Sequence, residues 1–393
     1  MKLAPRIFTL LIIVALLLAG LASVGTNITS NNPTPTSGNT NPGVPTVTFP
    51  DVPSGGTPVI SDYTFFQSSG VFSLPHLEGW DLATPTGEET TGTRAGATFI
   101  NGKTLSVVHA FVEKDPARKE NTVPDLDKYY TKENLDGAWS NFTGGWKELN
   151  RRVDGNLFVI NFELYLDNNT YLGRQVSQIN GDWLVVLRLV APNNNPQLLD
   201  TLQNTVLPKY QFWPQVLTAP ITWQAIADYV SGYVIKFPPD WKHVDGSVGH
   251  PFTVSGTLGG SSVTLTTSSQ PGKSVKTEDD VRAFVKTTWP NATVQTVQAV
   301  TSGETTGFAV SYSAPDADGN PQSAVAQLLN GSSTLYIANL QSTAKGQNFL
   351  DTANTALPME VTQIRNSFLL IPTNQLIPTL IPTATSVIST PAP

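Results

Sequence analysis

The stretch Ser231-Gly-Tyr-Val-Ile-Lys-Phe-Pro-Pro-Asp-Trp241 has an earlier counterpart in Ser69-Gly-Val-Phe-Ser-Leu-Pro-His-Leu-Glu-Gly-Trp80. Each copy is a Ser-Gly turn, a short apolar strand, a proline and then a tryptophan. The polar chemistry differs between them: Lys236 and Asp240 in one copy correspond to Ser73 and Gly79 in the other. What recurs is what shapes a strand exit. The repeat therefore marks where each of two domains begins, not where the protein acts.

The residues downstream of the two copies run in parallel. In the first half, apolar alternation predicts strands over 63–66 and 71–74, then 95–100 and 104–112 as a hairpin turning at Asn101-Gly102. A helix over 125–142 comes after them, with Asp125 as N-cap and Leu126, Tyr130, Leu135, Trp139 and Phe142 near the helical period. Four strands come next, over 147–153, 157–166, 171–179 and 183–190. A helix over 198–206 closes the half. The second half repeats the order: strands over 223–230 and 233–237, a hairpin around Gly259-Gly260, and a helix from Glu278 or Asp279 that stops at Trp289-Pro290. Strands over 293–299, 307–313, 323–329 and 334–340 succeed it, then a helix over 349–368 interrupted at Pro358. The fold class expected is α+β: two tandem domains, 59–214 and 221–371, each an antiparallel sheet with packed helices. Pro214 and Pro220 interrupt any element at the seam.

The remaining segments read differently. Residues 1–24 carry Lys2 and Arg6 ahead of an uncharged apolar run over 7–24, either a cleaved signal peptide or a membrane anchor. Both readings place the bulk of the chain outside the cytoplasm, secreted or anchored. Residues 25–58 are rich in Pro, Thr, Ser, Gly and Asn and read as a disordered linker, as do the Pro/Thr-rich residues 372–393. The chain has no cysteine, which excludes disulfides and thiolate metal sites. Its formal net charge is −7, only 13% of residues are charged, and no basic block occurs, which argues against a nucleic-acid partner.

The opening strand–turn–Pro–Trp pattern, the helix after the first hairpins and the closing Ile364-Arg-Asn-Ser-Phe368 resemble the PsbP-like and DcrB-like superfamily. The resemblance covers 60–214 and 221–371. It implies two tandem PsbP-like α/β/α sandwich domains, in a superfamily whose members look like binding or assembly factors rather than enzymes. No cofactor is implied, and kinship this broad does not set function.

Candidate sites are sparse. His109 shares a strand face with Glu113, a spacing open to a metal pair or to an ordinary half-buried or exposed histidine. His243 and His250 flank Asp245 in an expected loop that could hold Zn²⁺ with a third ligand. Asp316, Asp318 and Asn320 place oxygens at alternate positions as in a calcium loop, yet Gln327 stands where that loop needs glutamate. Turn chemistry accounts for these residues and for Asp167-Asn168-Asn169 at the equivalent turn of the first half. Trp139, Trp146, Trp183 and Trp289 read either as core caps or as an exposed aromatic platform for a glycan or peptide. No catalytic motif occurs, so no enzyme is expected. The reading is an extracytoplasmic binding or assembly protein whose partner is an envelope protein or a cell-wall polymer, touching membrane only through its N-terminal segment. The alternative is a small-ligand, glycan or metal-binding module of the cell surface.

Overall fold

The computed structural model describes residues 58–371, except 84–86, 229, 247–250, 317, 352 and 355–356. The expected signal or anchor, the tail and all of the linker but Pro58 lie outside the described residues. Among the described residues, no helix is long and apolar enough to cross a membrane. The chain forms two compact units, one of residues 66–224, the other of residues 225–371 with 60–65.

In chain order the first elements are β1 (Ile60–Phe66), β2 (Phe72–Leu77), β3 (Asp81–Leu82), β4 (Glu88–Thr90), β5 (Arg94–Asn101) and β6 (Ser106–Glu113). Two short helices come next, α1 (Leu126–Tyr129) and α2 (Lys132–Ala138). Then come β7 (Trp146–Asp154), β8 (Leu157–Leu166), β9 (Asn169–Asn180), β10 (Trp183–Pro192), α3 (Gln197–Val206) and β11 (Gln211–Phe212). The long strands form an antiparallel sheet in the order β3-β5-β6-β10-β9-β8-β7, with β4 also on β5, and a small sheet runs β1-β2-β11.

The next elements are β12 (Gln224–Asp228), β13 (Tyr233–Phe237), β14 (Lys242–Asp245), β15 (Phe252–Leu258), β16 (Ser261–Pro271) and α4 (Glu278–Thr288). After them stand β17 (Thr293–Ser302), β18 (Thr305–Pro315), β19 (Pro321–Asn330), β20 (Thr334–Ser342), α5 (Met359–Asn366) and β21 (Leu369–Leu370). Their sheets run β14-β15-β16-β20-β19-β18-β17 and β12-β13-β21. Apart from β4, which has no counterpart, this is strand for strand the order of the first set. The protein is sheet-rich, antiparallel and α+β.

Side chains alternate across a strand, so each large sheet has two faces to cover. In the first unit Phe111, Phe158, Phe162, Leu184 and Val186 pack beneath Leu126, Tyr130, Leu135 and Trp139 of the α1–α2 segment. In the second, Val310, Tyr312, Ala326, Leu328 and Ile337 pack beneath Val281 and Val285 of α4. Burying each Val, Leu, Ile or Phe side chain among them contributes about 1.5–3 kcal/mol. In a chain without cysteine, this burial takes the place of cross-links.

Turn chemistry fixes the register. Asp167 and Asn168 both adopt positive φ (49° and 63°), as a two-residue hairpin requires, and Gly259 and Gly260 do the same at 54° and 78°. Three expected elements differ. The helix over 125–142 is two pieces, because Thr131 turns extended and its side chain caps the second piece at the Asn134 amide. Asn101-Gly102 is not a two-residue turn. Asn101 ends β5, its Oδ1 accepts from the Lys103 and Thr104 amides at 2.9 and 3.1 Å, and four residues complete the loop. The final helix begins only at Met359, with Pro358 as its N-cap residue. Ahead of it, Asn348 and Asp351 side chains take the Leu350 and Ala353 amides at 3.1 and 3.0 Å, which favours turns over helix.

Candidate functional site

The densest polar chemistry lies on the α1–α2 side of the first unit's sheet. Register places Thr98 opposite His109, His109 opposite Arg188, and Arg188 opposite Gln175. One row thus crosses four strands. Two residues along, Phe111 lies between Gly96 and Val186, and beyond it Glu113 faces Arg94. A side chain at Gly96 would meet Glu89 Oε1 at 2.8 Å, so glycine here lets Glu89 lie close to the sheet.

Arg94 and Arg188 both stack on Phe111, with guanidinium carbons 3.8 and 4.8 Å from the ring centroid. Arg94 donates from Nε to Glu89 at 2.5 Å and from Nη1 to Glu113 at 2.8 Å, which balances its charge. Arg188 donates to neutral acceptors, Gln175 Oε1 at 2.8 Å and the Ala138 carbonyl at 3.5 Å. Burial, then the nearby Arg94 charge, brings its pKa down to about 10. The His109 ring lies 4.9 Å from Phe111. Its pKa is held well below the ordinary imidazole value by burial and then by the two arginines, so the ring is neutral. Beside the row, Tyr130 and Ser177 hydroxyls are 2.7 Å apart, and burial pushes the phenol up to about 12. His109 Nε2, Arg94 Nη2 and Trp139 Nε1 are buried without a hydrogen-bond partner. The cluster supplies cation–π stacking and hydrogen bonding around one phenylalanine.

The opposite face of this sheet carries a cleft of about 260 Å³. Val176, Val185 and Leu187 line it from the sheet, Leu207 and Pro208 from the turn after α3, and the amides of Asn156 and Gln178 add polar groups. The turn exists because Pro208 cannot continue α3 and instead closes a 3-10 turn over Leu207–Lys209. A concave, mostly apolar surface with a few polar groups is the usual form of a binding site.

Of the residues singled out from sequence, His109, Glu113 and Trp139 lie in this cluster and the others fall elsewhere. His109 is buried, at 5% exposure, not half-buried or exposed, because the α1–α2 segment covers its strand face. Glu113 does share that face but bonds Arg94. His243 is exposed on β14, edge-on to Phe252 at 5.4 Å, while His250 lies outside the described residues. Asp316 Oδ1 accepts from the Asp318 and Asn320 amides at 2.9 and 2.8 Å, folding the carboxylate back on its own turn. Among the described residues, no cluster of three or more His, Asp or Glu side chains is arranged to hold a metal ion.

Trp139 is 2% exposed and belongs to the core, so it cannot join an exposed aromatic platform. Trp146 is half-buried and donates from Nε1 to Asp136 Oδ1 at 3.0 Å. Trp183 is half-buried, 6.2 Å from Phe212, and Trp289 is half-buried against Tyr312. Sequence reasoning missed Arg94, Arg188, Gln175 and the cleft. The visible signal was Arg188, the single charge in the otherwise apolar strand β10.

Fold and surface together define a sheet-rich α+β protein of two units. No family model and no curated protein matches the chain. Among solved structures it is similar to cyanobacterial PsbP (CyanoP) from Synechocystis, at 14% identity and a TM-score of 0.29, over 40% of this chain and 96% of that one. It is also similar to the T6SS immunity protein TplEi of Pseudomonas aeruginosa in complex with the "L" peptide, at 11% identity and a TM-score of 0.22, over 79% of this chain and 98% of that one.

Proposed function

We propose that this chain is an extracytoplasmic binding or assembly protein built from two tandem PsbP-like domains, with an envelope protein as its partner. The observation that carries the reading is the cleft beside α3, where Leu207 and Pro208 present apolar surface above a floor of buried Val176, Val185 and Leu187, and Gln178 and Asn156 offer amides. An aliphatic side chain of a partner fits this chemistry better than a hydroxyl-rich wall polymer does, because Val, Leu and Pro surfaces return nothing for a desolvated hydroxyl. The apolar run over 7–24 supports export. The sparse charge and the strand order common to both sheets support a scaffold that presents surfaces.

The test is capture from a native envelope extract with the full chain, in parallel with a Leu207→Asp variant that places a carboxylate at the cleft. Partners held by the unaltered chain and lost by the variant, with circular dichroism unchanged, are the expected result. Equal retention by both chains would sink the cleft as the binding surface.

A further inference from the structure

An exposed sheet edge is a template for pairing, and proteins blunt such edges with charge, shortness or bulges. The edges of the two large sheets are treated very differently. Strand β3 has two residues, β4 has three with two glutamates, and β14 has four with Lys242 and Asp245 at its ends. Strand β7 is long but carries Lys147, Glu148, Arg151, Arg152 and Asp154. Arg151 anchors it further through ion pairs to Glu148 at 2.6 Å and Asp127 at 2.8 Å. Strand β17 reads Thr-Val-Gln-Thr-Val-Gln-Ala-Val-Thr-Ser and has no formal charge at all.

These two long edges correspond position by position. Each ends its sheet, and each has a bulge opposite an aromatic residue, between Glu148 and Asn150 against Phe162 and between Val294 and Thr296 against Tyr312. Aligned on the bulge, the charged residues Lys147, Glu148, Arg151, Arg152 and Asp154 of β7 meet Thr293, Val294, Val297, Gln298 and Val300 of β17. Every guarding charge is gone.

The edge is also held in place. Asn348 Nδ2 donates to Thr296 Oγ1 at 2.9 Å, Gln298 Nε2 to the Leu350 carbonyl at 3.1 Å, and Ser302 Oγ to the Phe368 carbonyl at 2.6 Å. A strand already ordered loses little entropy on pairing. Among the described residues, its backbone pairs only with β18.

From this contrast we infer that β17 is a self-association edge, where a second copy of this chain adds its own β17 antiparallel. Two copies each carry a formal charge of −7, so a seam between them must avoid like charges, and β17 is the long edge that does. Beyond the bulge, the run 296–302 pairs about its middle residue Ala299, setting Thr296 against Ser302, Val297 against Thr301 and Gln298 against Val300. A two-fold pairing of this kind closes on itself, so association stops at two copies. A seam of one strand is small, so the dimer dissociates on dilution.

Sedimentation of the full chain over a wide concentration range tests this, with hydrogen exchange read on the β17 amides. The expected result is a mass that doubles with concentration while β17 amides gain protection. The double variant Ala299→Lys, Thr301→Lys places charges on exposed positions, and it should stay monomeric with an unchanged circular dichroism spectrum. If that variant does not fold, Ala299→Lys alone should still shift the midpoint of dimerisation at least tenfold upward. A wild-type chain that is monomeric throughout overturns the inference, whether its β17 amides exchange freely or are protected by another strand. A dimer unaffected by both variants overturns it as well.

Discussion

The Arg94 guanidinium lies 3.8 Å from the Phe111 ring centroid while it bonds Glu89 and Glu113, on strands β4 and β6. One side chain thus answers two carboxylates whose exposures are 16% and 23%. Replacing Arg94 with methionine keeps most of the packing and leaves two part-buried carboxylates without their cation. The expected loss is about 3 kcal/mol, seen as a lower urea midpoint at an unchanged slope. A loss under half that value would show that water reaches both carboxylates.

His109 adds an acid sensitivity. Its folded pKa is depressed by burial and then by Arg94 and Arg188. The unfolded chain therefore binds the proton first as pH falls below about 6.5. The contribution is fully present above that pH and declines progressively from there towards the folded pKa. Urea midpoints at pH 8 and pH 5 for the wild type and for His109→Leu should differ more in the wild type. Equal differences would assign the acid sensitivity to carboxylates alone.

The two tryptophans that end α2 and α4 should respond unequally to truncation. Trp139 is in the core, 5.0 Å from Phe162, whereas Trp289 is half-exposed and stacks on Tyr312 at 4.7 Å with planes 20° apart. Trp139→Ala should cost about 4 kcal/mol and Trp289→Ala about half as much, measured by urea unfolding of the full chain. The reverse ranking would contradict the burial described for the pair.

At the start of α4, Thr277 accepts from the Asp280 amide at 3.1 Å while the Asp280 carboxylate accepts from the Thr277 amide at 2.9 Å. Removing this reciprocal cap with Thr277→Ala should lower stability by about 1 kcal/mol, and Thr277→Ser should restore most of it. Thermal unfolding of the three chains provides the check.

Much of the architecture was legible in the sequence, because a half-buried strand declares itself by alternation and its turns by Gly, Asn and Asp. The strands of both long hairpin series, the Gly259-Gly260 turn and α4 were readable on that basis. Side chains that compete for backbone bonds were harder to read. Thr131 divides one expected helix, Asn101 lengthens a turn, and Asn348 and Asp351 hold turns ahead of α5. The cluster around Phe111 was not legible, since Arg94, His109 and Arg188 come from three separated strands and meet only through register. A cleft depends on where Pro208 sends the chain after α3, which no local pattern specifies.

The row Thr98, His109, Arg188 and Gln175 also bears on how the sheet finds its alignment. Sliding β6 by one residue against β10 would set Val108 or Ala110 opposite Arg188 and turn Phe111, the ring on which the guanidinium stacks, to the other face. Strands β6 and β10, rich in interchangeable Val, Leu and Ala, offer many near-equivalent pairings, and the polar row singles out one of them. Its worth is then as a key that rejects mispaired sheets during folding, a role that a measurement of native stability alone would understate.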